Sequence, residues 1–216
     1  MPSKARTAFD ENAADVDRLL EIHANRGGDS RGGRFRLEVL NKSAVVLITA
    51  FWEAYCEDLV AEALEYIIKR AADSSVLPVE LKRKVAKELK ANPNEIAIWQ
   101  LADRGWRGLL ESRLKNLSEE RSRKLNTPKS SNIIELFSVA LGIDDISTRW
   151  RWGRKSVKQA KADLDWFIEL RGAIAHRGQA EISCTKWQVT EYFNLVKRLV
   201  GTTDPLIDDV LQGRPL

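Results

Sequence analysis

The sequence is poor in the residues that build metal sites, and it has no long apolar runs. Its 216 residues include two cysteines and two histidines. Cys56 and Cys184 lie far apart, and no His-x3-His or Cys-x2-Cys spacing occurs. Neither a metal nor another cofactor is therefore expected. Two isolated thiols read as reduced, buried side chains of a cytoplasmic protein. No apolar stretch approaches the roughly 18 residues of a membrane span and no leader is recognisable, so a soluble chain without membrane contact is expected. Charge of one sign is scarcely in excess: 35 Lys and Arg stand against 31 Asp and Glu, a net of +4. That balance permits an anionic partner without requiring one. Strand-like alternation, internal repeats and low-complexity tracts are missing too. So are a glycine-rich phosphate loop after a strand, a nucleophile elbow, and a helix-turn-helix with a basic second helix. P-loop chemistry, serine-hydrolase chemistry and major-groove DNA reading are thereby disfavoured.

What is present is apolar spacing at three and four residues along most of the chain. It predicts an all-α bundle of about six to seven helices around one long central helix. The length suffices for one domain with its own core. A first helix over 8–25, with Val16, Leu19, Leu20 and Ile22 on its apolar side, leads into the glycine- and arginine-rich loop 26–34. Residues 1–34 thus form an N-terminal part, 35–200 the main helical domain and 201–216 a tail with one helical turn at most. The central helix is expected over 35–72 and is apolar on two sides. One side holds Leu47, Ile48, Phe51, Tyr55, Leu59 and Tyr66, the other Val39, Val46, Val60 and Leu64. Further helices are expected from Pro78 to Ala91 and over 95–124, the latter interrupted at Gly105 or Gly108 and buried through Ile98, Leu101 and Trp106. A capping box at Asn132–Glu135 starts a helix that Gly142 stops, and Thr185-x-x-Gln188 caps the last one.

The informative stretch is Leu170-Arg171-Gly172-Ala173-Ile174-Ala175-His176-Arg177-Gly178, which follows the helical run 160–170. At about 100° per residue, Phe167, Ile168, Ile174 and Ala175 fall within about 80° of Leu164, and Arg171 falls in the same stripe. A guanidinium on the core-facing side of a helix is costly unless it is paired or opens onto a groove. His176 stands about 140° further around a regular helix, and Gly172 and Gly178 permit a distortion that would bring the two together. Glu53 is the matching anomaly, a carboxylate among the valines on the second side of the central helix. Pairing Glu53 with Arg171 explains both misplaced charges. Such a pair either serves the fold alone or fixes the arginine for catalysis. Both readings stand at this point.

Just ahead lies Thr148-Arg149-Trp150-Arg151-Trp152-Gly153-Arg154-Lys155. Alternating Arg and Trp suits stacking on bases with contact to phosphate. Tryptophan anchoring a surface loop to the core, with the arginines outside, is the other reading. His23 reads as a dipole-satisfying or solvent-facing residue at a helix end. The loop 26–34 reads as a linker in preference to a phosphate contact, and the basic helix with Lys82, Arg83, Lys84, Lys87 and Lys90 as a solvated face in preference to an RNA contact.

Arg-x4-His after an apolar helix, in the form Leu170 to Gly178, resembles the motif of the HEPN superfamily, in particular its RiboL-PSP-like and toxin-type branches. Ala50-Phe51-Trp52-Glu53-Ala54-Tyr55-Cys56-Glu57-Asp58-Leu59 is similar to the aromatic–Glu helix that those branches carry upstream. The resemblance spans 35–200 and implies an HEPN-like fold and a homodimer in which two motifs face each other across a cleft. One position departs from the pattern: Gly172 stands where a polar residue, often Asn, is usual.

A histidine that titrates near neutrality and a permanent cation suffice for RNA cleavage without a metal. The expected function is therefore a metal-independent endoribonuclease that leaves a 2′,3′-cyclic phosphate. Arg171 and His176 are its candidate catalytic residues and Glu53 their support. Arg177, Arg149, Arg151, Arg154 and Lys155 are the candidate RNA contacts. By analogy with the family the chain is a toxin or antiphage effector, its partners being RNA, a second copy and an antitoxin protein. The alternative is a non-catalytic HEPN-like module that binds a nucleotide or a partner, with Arg171 and His176 holding the fold.

Overall fold

The computed structural model describes residues 2–26, 34–120, 127–177 and 183–211. Among them the chain forms seven α-helices and no strand, Trp152 and Lys155 making an isolated bridge. The helices are α1 (Lys4–Arg26), α2 (Arg34–Arg70), α3 (Val79–Lys90), α4 (Gly105–Glu120), α5 (Ser130–Leu141), α6 (Val157–Arg177) and α7 (Lys186–Leu211). With 37 residues, α2 is about 55 Å long. It packs against α1, α4, α5, α6 and α7, as a helix that is apolar on two sides must. The expected all-α bundle around a long central helix is the fold observed.

Two neighbours set the direction of packing along α2. Helix α1 runs antiparallel to it: Glu62 accepts the backbone N–H groups of Lys4 and Ala5, both at 3.1 Å, and caps amides that α1 itself leaves unpaired. Phe9 then meets Tyr55 edge-on, with ring centroids 5.9 Å apart. Helix α7 runs parallel to α2. Asn41 Nδ2 donates to the Cys184 carbonyl at 2.8 Å, the Thr49 and Tyr192 hydroxyls bond at 2.9 Å, and Tyr55 Oη reaches the Val200 carbonyl at 3.4 Å. Between these helices Trp52 stacks on Tyr55 and meets Trp150 edge-on, with centroids 5.9 and 6.0 Å apart. Helix α1 contributes Phe9, Ala13 and Val16 to this same core.

The helix ends show where local signals prevailed and where packing did. The Thr185/Gln188 capping box forms: Thr185 N donates to Gln188 Oε1 at 2.8 Å and Gln188 N to Thr185 Oγ1 at 3.3 Å. Ser156 and Gln159 do the same for α6. The box expected at Asn132–Glu135 does not form. Helix α5 starts earlier, because Asp165 of α6 accepts both Ser130 N (2.7 Å) and Ser130 Oγ (2.9 Å), while Asn132 Nδ2 donates back to the Thr127 carbonyl. The stretch expected as helical over 95–124, with an interruption at Gly105 or Gly108, is a 3-10 segment, Glu95–Leu101, and then α4, which starts at Gly105. Asp103, at φ +51°, turns the chain between them. Residues 121–126, 27–33 of the Gly/Arg loop and Gly178 lie outside the described residues. The tail expected to hold one turn at most is helical to Leu211, with Pro205 inside α7. Thr203 and Ile207 are buried there, and their packing outweighs the Gly and Pro stop signals. Ile22, Val39, Tyr66 and Ile98, expected in the core, are exposed.

Gly142 ends α5 as expected, in the left-handed region at φ +74°. A Cβ built there would overlap the backbone nitrogen of Leu81 at the base of α3. Gly142→Ala is expected to destabilise the protein by at least about 1 kcal/mol. A lower urea midpoint at unchanged slope is the readout.

Candidate active site

Arg171 lies half-buried on α6, where Leu164, Phe167, Ile168 and Leu170 are buried and Ile174 packs partly against the core. Ala175, expected on the same stripe, is exposed. The Nε of Arg171 is shut off from solvent and has no hydrogen-bond partner among the described residues. Two groups feel its charge. One is Glu53 on α2, also half-buried; the other is the buried Tyr192 on α7. Three helices thus converge on one guanidinium.

The electrostatics of this convergence are unequal. Burial pushes the Glu53 carboxyl above its ordinary value, and the Arg171 charge pulls it back in part. Glu53 and Arg171 therefore sit close enough to interact, yet no ion pair within 4.0 Å joins them among the described residues. The pair inferred from the sequence is brought together and left open. Burial likewise raises Tyr192, opposed by its hydrogen bond to Thr49 and by Arg171. Thr49 lies one turn before Glu53, and its hydroxyl contacts both the Val45 carbonyl and the Tyr192 hydroxyl at 2.9 Å. Tyr192 in turn stacks on Phe167, with centroids 4.4 Å apart, so the aromatic wall beside Arg171 is fixed from both sides.

Helix α6 runs unbroken through Gly172 to Arg177, without the distortion that glycine would permit. Positions 171 and 176 therefore stand about 140° apart around it. The side chains of His176 and Arg177 lie outside what the structure describes. A Cβ at Gly172 would meet nothing within 4 Å, so packing inside one copy does not demand glycine there.

The family profile of RiboL-PSP-HEPN matches residues 10–209. The chain belongs to the RiboL-PSP-HEPN family. No curated protein and no solved structure matches it. The match takes in most of α1 and of α7, in line with a core that both helices share.

Within this HEPN chain the remaining predicted residues lie elsewhere. Trp150 is fully buried, and its Nε1 donates to Thr203 Oγ1 at 2.9 Å, so it anchors the loop to the core. Arg149, Arg151 and Arg154 are exposed around it, and Lys155 pairs with Asp163. All four precede or border the start of α6, about 20 Å along that helix from Arg171. They do not join Arg171 in one site. His23 is half-buried at the end of α1, its pKa lowered by burial and by Lys186. Among the described residues no three His, Cys, Asp or Glu side chains are arranged to hold a metal ion, and no helix is long and apolar enough to cross a membrane. Sequence reasoning missed Thr49 and Tyr192. Their one visible signal was a hydroxyl in each apolar stripe.

The raised Glu53 value has a testable sign. Between the ordinary carboxyl value of 4.5 and its higher folded value, the native protein binds more protons than the unfolded chain. Glu53 therefore subtracts stability as pH rises through that window, and the loss is complete above it. Glu53→Gln is expected to melt no lower than wild type at pH 7, and up to about 3 °C higher. The difference between the two proteins should vanish near pH 4 in paired thermal melts.

Proposed function

We propose that this HEPN protein is an endoribonuclease that needs no metal and acts as a homodimer on RNA. The observation that carries the reading is the guanidinium of Arg171. It is held half-buried beside Glu53 and Tyr192 without a closed ion pair, and His176 follows five residues later in the same helix. A structural arginine in such a place closes its pair; one kept for an anionic ligand stays available. In this scheme His176 takes the proton of a ribose 2′-hydroxyl, and that oxygen attacks the adjacent phosphorus. The bond from phosphorus to the 5′-oxygen breaks, the leaving oxygen takes up a proton, and a 2′,3′-cyclic phosphate remains. Arg171 stabilises the charge that builds on the phosphoryl oxygens, and Glu53 positions it. DNA, without a 2′-hydroxyl, is not cut.

A second copy suits this chemistry. One motif supplies a single imidazole, whereas cleavage uses both a base and an acid, and two motifs across a two-fold axis supply both. Membership of the family supports a role as toxin or antiphage effector, restrained in the cell by an antitoxin protein. The test is purified full-length protein with single-stranded RNA in EDTA, its mass read by light scattering. Dimeric protein, fragments ending in cyclic phosphate and uncut DNA are expected. Intact RNA, or cutting that appears only when a divalent metal is added, would refute the proposal.

A further inference from the structure

A concave feature among the described residues lies away from Arg171. It is an open groove of about 1270 Å³ between the end of α2, the start of α3 and the loop that follows α5. Tyr66 lies about 20 Å along α2 from Glu53, which makes the groove separate from the candidate active site. Its walls are apolar where Tyr66, Val76 and Val79 are exposed, and its cationic side is formed by Arg70, Arg149 and Arg151.

The charges that line the groove differ in how far they are used. Glu80 is paired with Arg83, and Asp144 lies 3.9 Å from Lys84. Asp145 caps the 3-10 segment Ile146–Arg149, its Oδ1 accepting from Ser147 N at 2.9 Å. The three arginines, by contrast, have no carboxylate partner within 4.0 Å among the described residues. Arg70 is held over the Tyr66 ring, 5.3 Å from its centroid. That contact makes a two-layer platform of aromatic ring and planar cation at the surface, of the kind on which nucleobases stack. Arg149 and Arg151 offer forked donors that match phosphate. A purely apolar ligand would leave these cations unanswered, and a bare anion would leave Tyr66, Val76 and Val79 in water.

We propose that this groove binds a nucleotide unit, with its base in the Tyr66–Arg70 stack and its phosphate on Arg149 and Arg151. The unit is offered either by a single-stranded RNA or by a free nucleotide. Binding here does not rest on the ribonuclease reading, because the groove and Arg171 are on different parts of the molecule.

The experiment uses the full-length wild-type protein with two probes. One is a fluorescent 2′-O-methyl dodecanucleotide, which cannot be cut through its 2′-oxygen; the other is AMP. Tyr66→Ala and Arg149→Ala/Arg151→Ala alter exposed residues, and unchanged melting of both variants confirms the fold. The expected result is that at least one probe binds wild type and is weakened about tenfold by each variant. If the oligonucleotide is the ligand, the double variant also flattens the plot of log K against log salt by about 1.4. Saturation by AMP with no response to the oligonucleotide identifies the free nucleotide as the source. Equal affinity of wild type and both variants for each probe, or no binding of either probe to wild type, overturns the proposal. Because neither probe reports cleavage, these outcomes leave the role of Arg171 to be judged separately.

Discussion

Replacing His176 by alanine, or Arg171 by methionine, is expected to remove RNA cleavage almost entirely. A positioned acid or base is worth about 10²–10⁴ in rate. A preorganised cation on the developing phosphoryl charge is worth about 10²–10³. His176→Ala should thus lose about a thousandfold in kcat/KM, and Arg171→Met about a hundredfold or more. The side-chain choice matters for the second variant. Methionine keeps much of the arginine stem that lies along the α6 stripe, so lost packing does not masquerade as lost catalysis. Arg171→Lys keeps the charge but not the planar fork, and should recover a small part of the rate at best. Cleavage of a defined RNA, with its cyclic-phosphate product followed over time, reads all three. Wild-type rates in both His176→Ala and Arg171→Met would remove the basis of the enzymatic reading.

The largest effect on stability is expected at Trp150. It is fully buried, meets Trp52 edge-on and donates its indole N–H to the buried Thr203. Truncation to alanine forfeits burial and leaves a cavity, about 3–5 kcal/mol for such a ring. It also strands the Thr203 hydroxyl, at about 1 kcal/mol more. A domain of this size is stable by about 5–15 kcal/mol in all. Trp150→Ala should therefore lower Tm by roughly 10–15 °C. Trp150→Phe keeps most of the ring and loses the hydrogen bond, so its loss should be a small fraction of that. A melt of Trp150→Ala within about 2 °C of wild type would mean that the loop does not hold α7 to α2 as described.

These two sites differ in how readable they were. Arg171 and Glu53 stand out in the sequence because each breaks an apolar stripe, and stripe geometry follows from helical spacing alone. The fold class follows for the same reason. Thr49 and Tyr192 do not stand out: each is an ordinary polar interruption until α2 and α7 pack side by side and their hydroxyls meet. Trp150 was legible as an anchor or as a base-stacking residue, and burial against Trp52 decides for the anchor. The basic residues around it face outward, and the groove's Tyr66 is far in sequence from its Arg149 and Arg151. Tyr66 reads as core by periodicity, yet the end of α2 leaves it uncovered.

The errors at helix ends share one cause. Asn132 and Glu135 carry the right spacing for a capping box, but a carboxylate from α6 reaches the chain two residues earlier and fixes the start of α5 there. Gly201 and Pro205 carry stop signals, but Thr203 and Ile207 are buried in α7, and the helix continues. Local chemistry proposes a boundary; a partner distant in sequence overrules it when burial is at stake.

The central claim is that the charge of Arg171 is kept in the interior for a ligand and not for the fold. Its most direct test is the melting temperature of the double variant Glu53→Gln/Arg171→Met at pH 7. This variant removes both half-buried charges together, so neither is left without the other. The account predicts a Tm equal to or above that of wild type, with RNA cleavage lost in the same sample. A Tm several degrees lower would contradict it, for the two charges would then be holding the protein together.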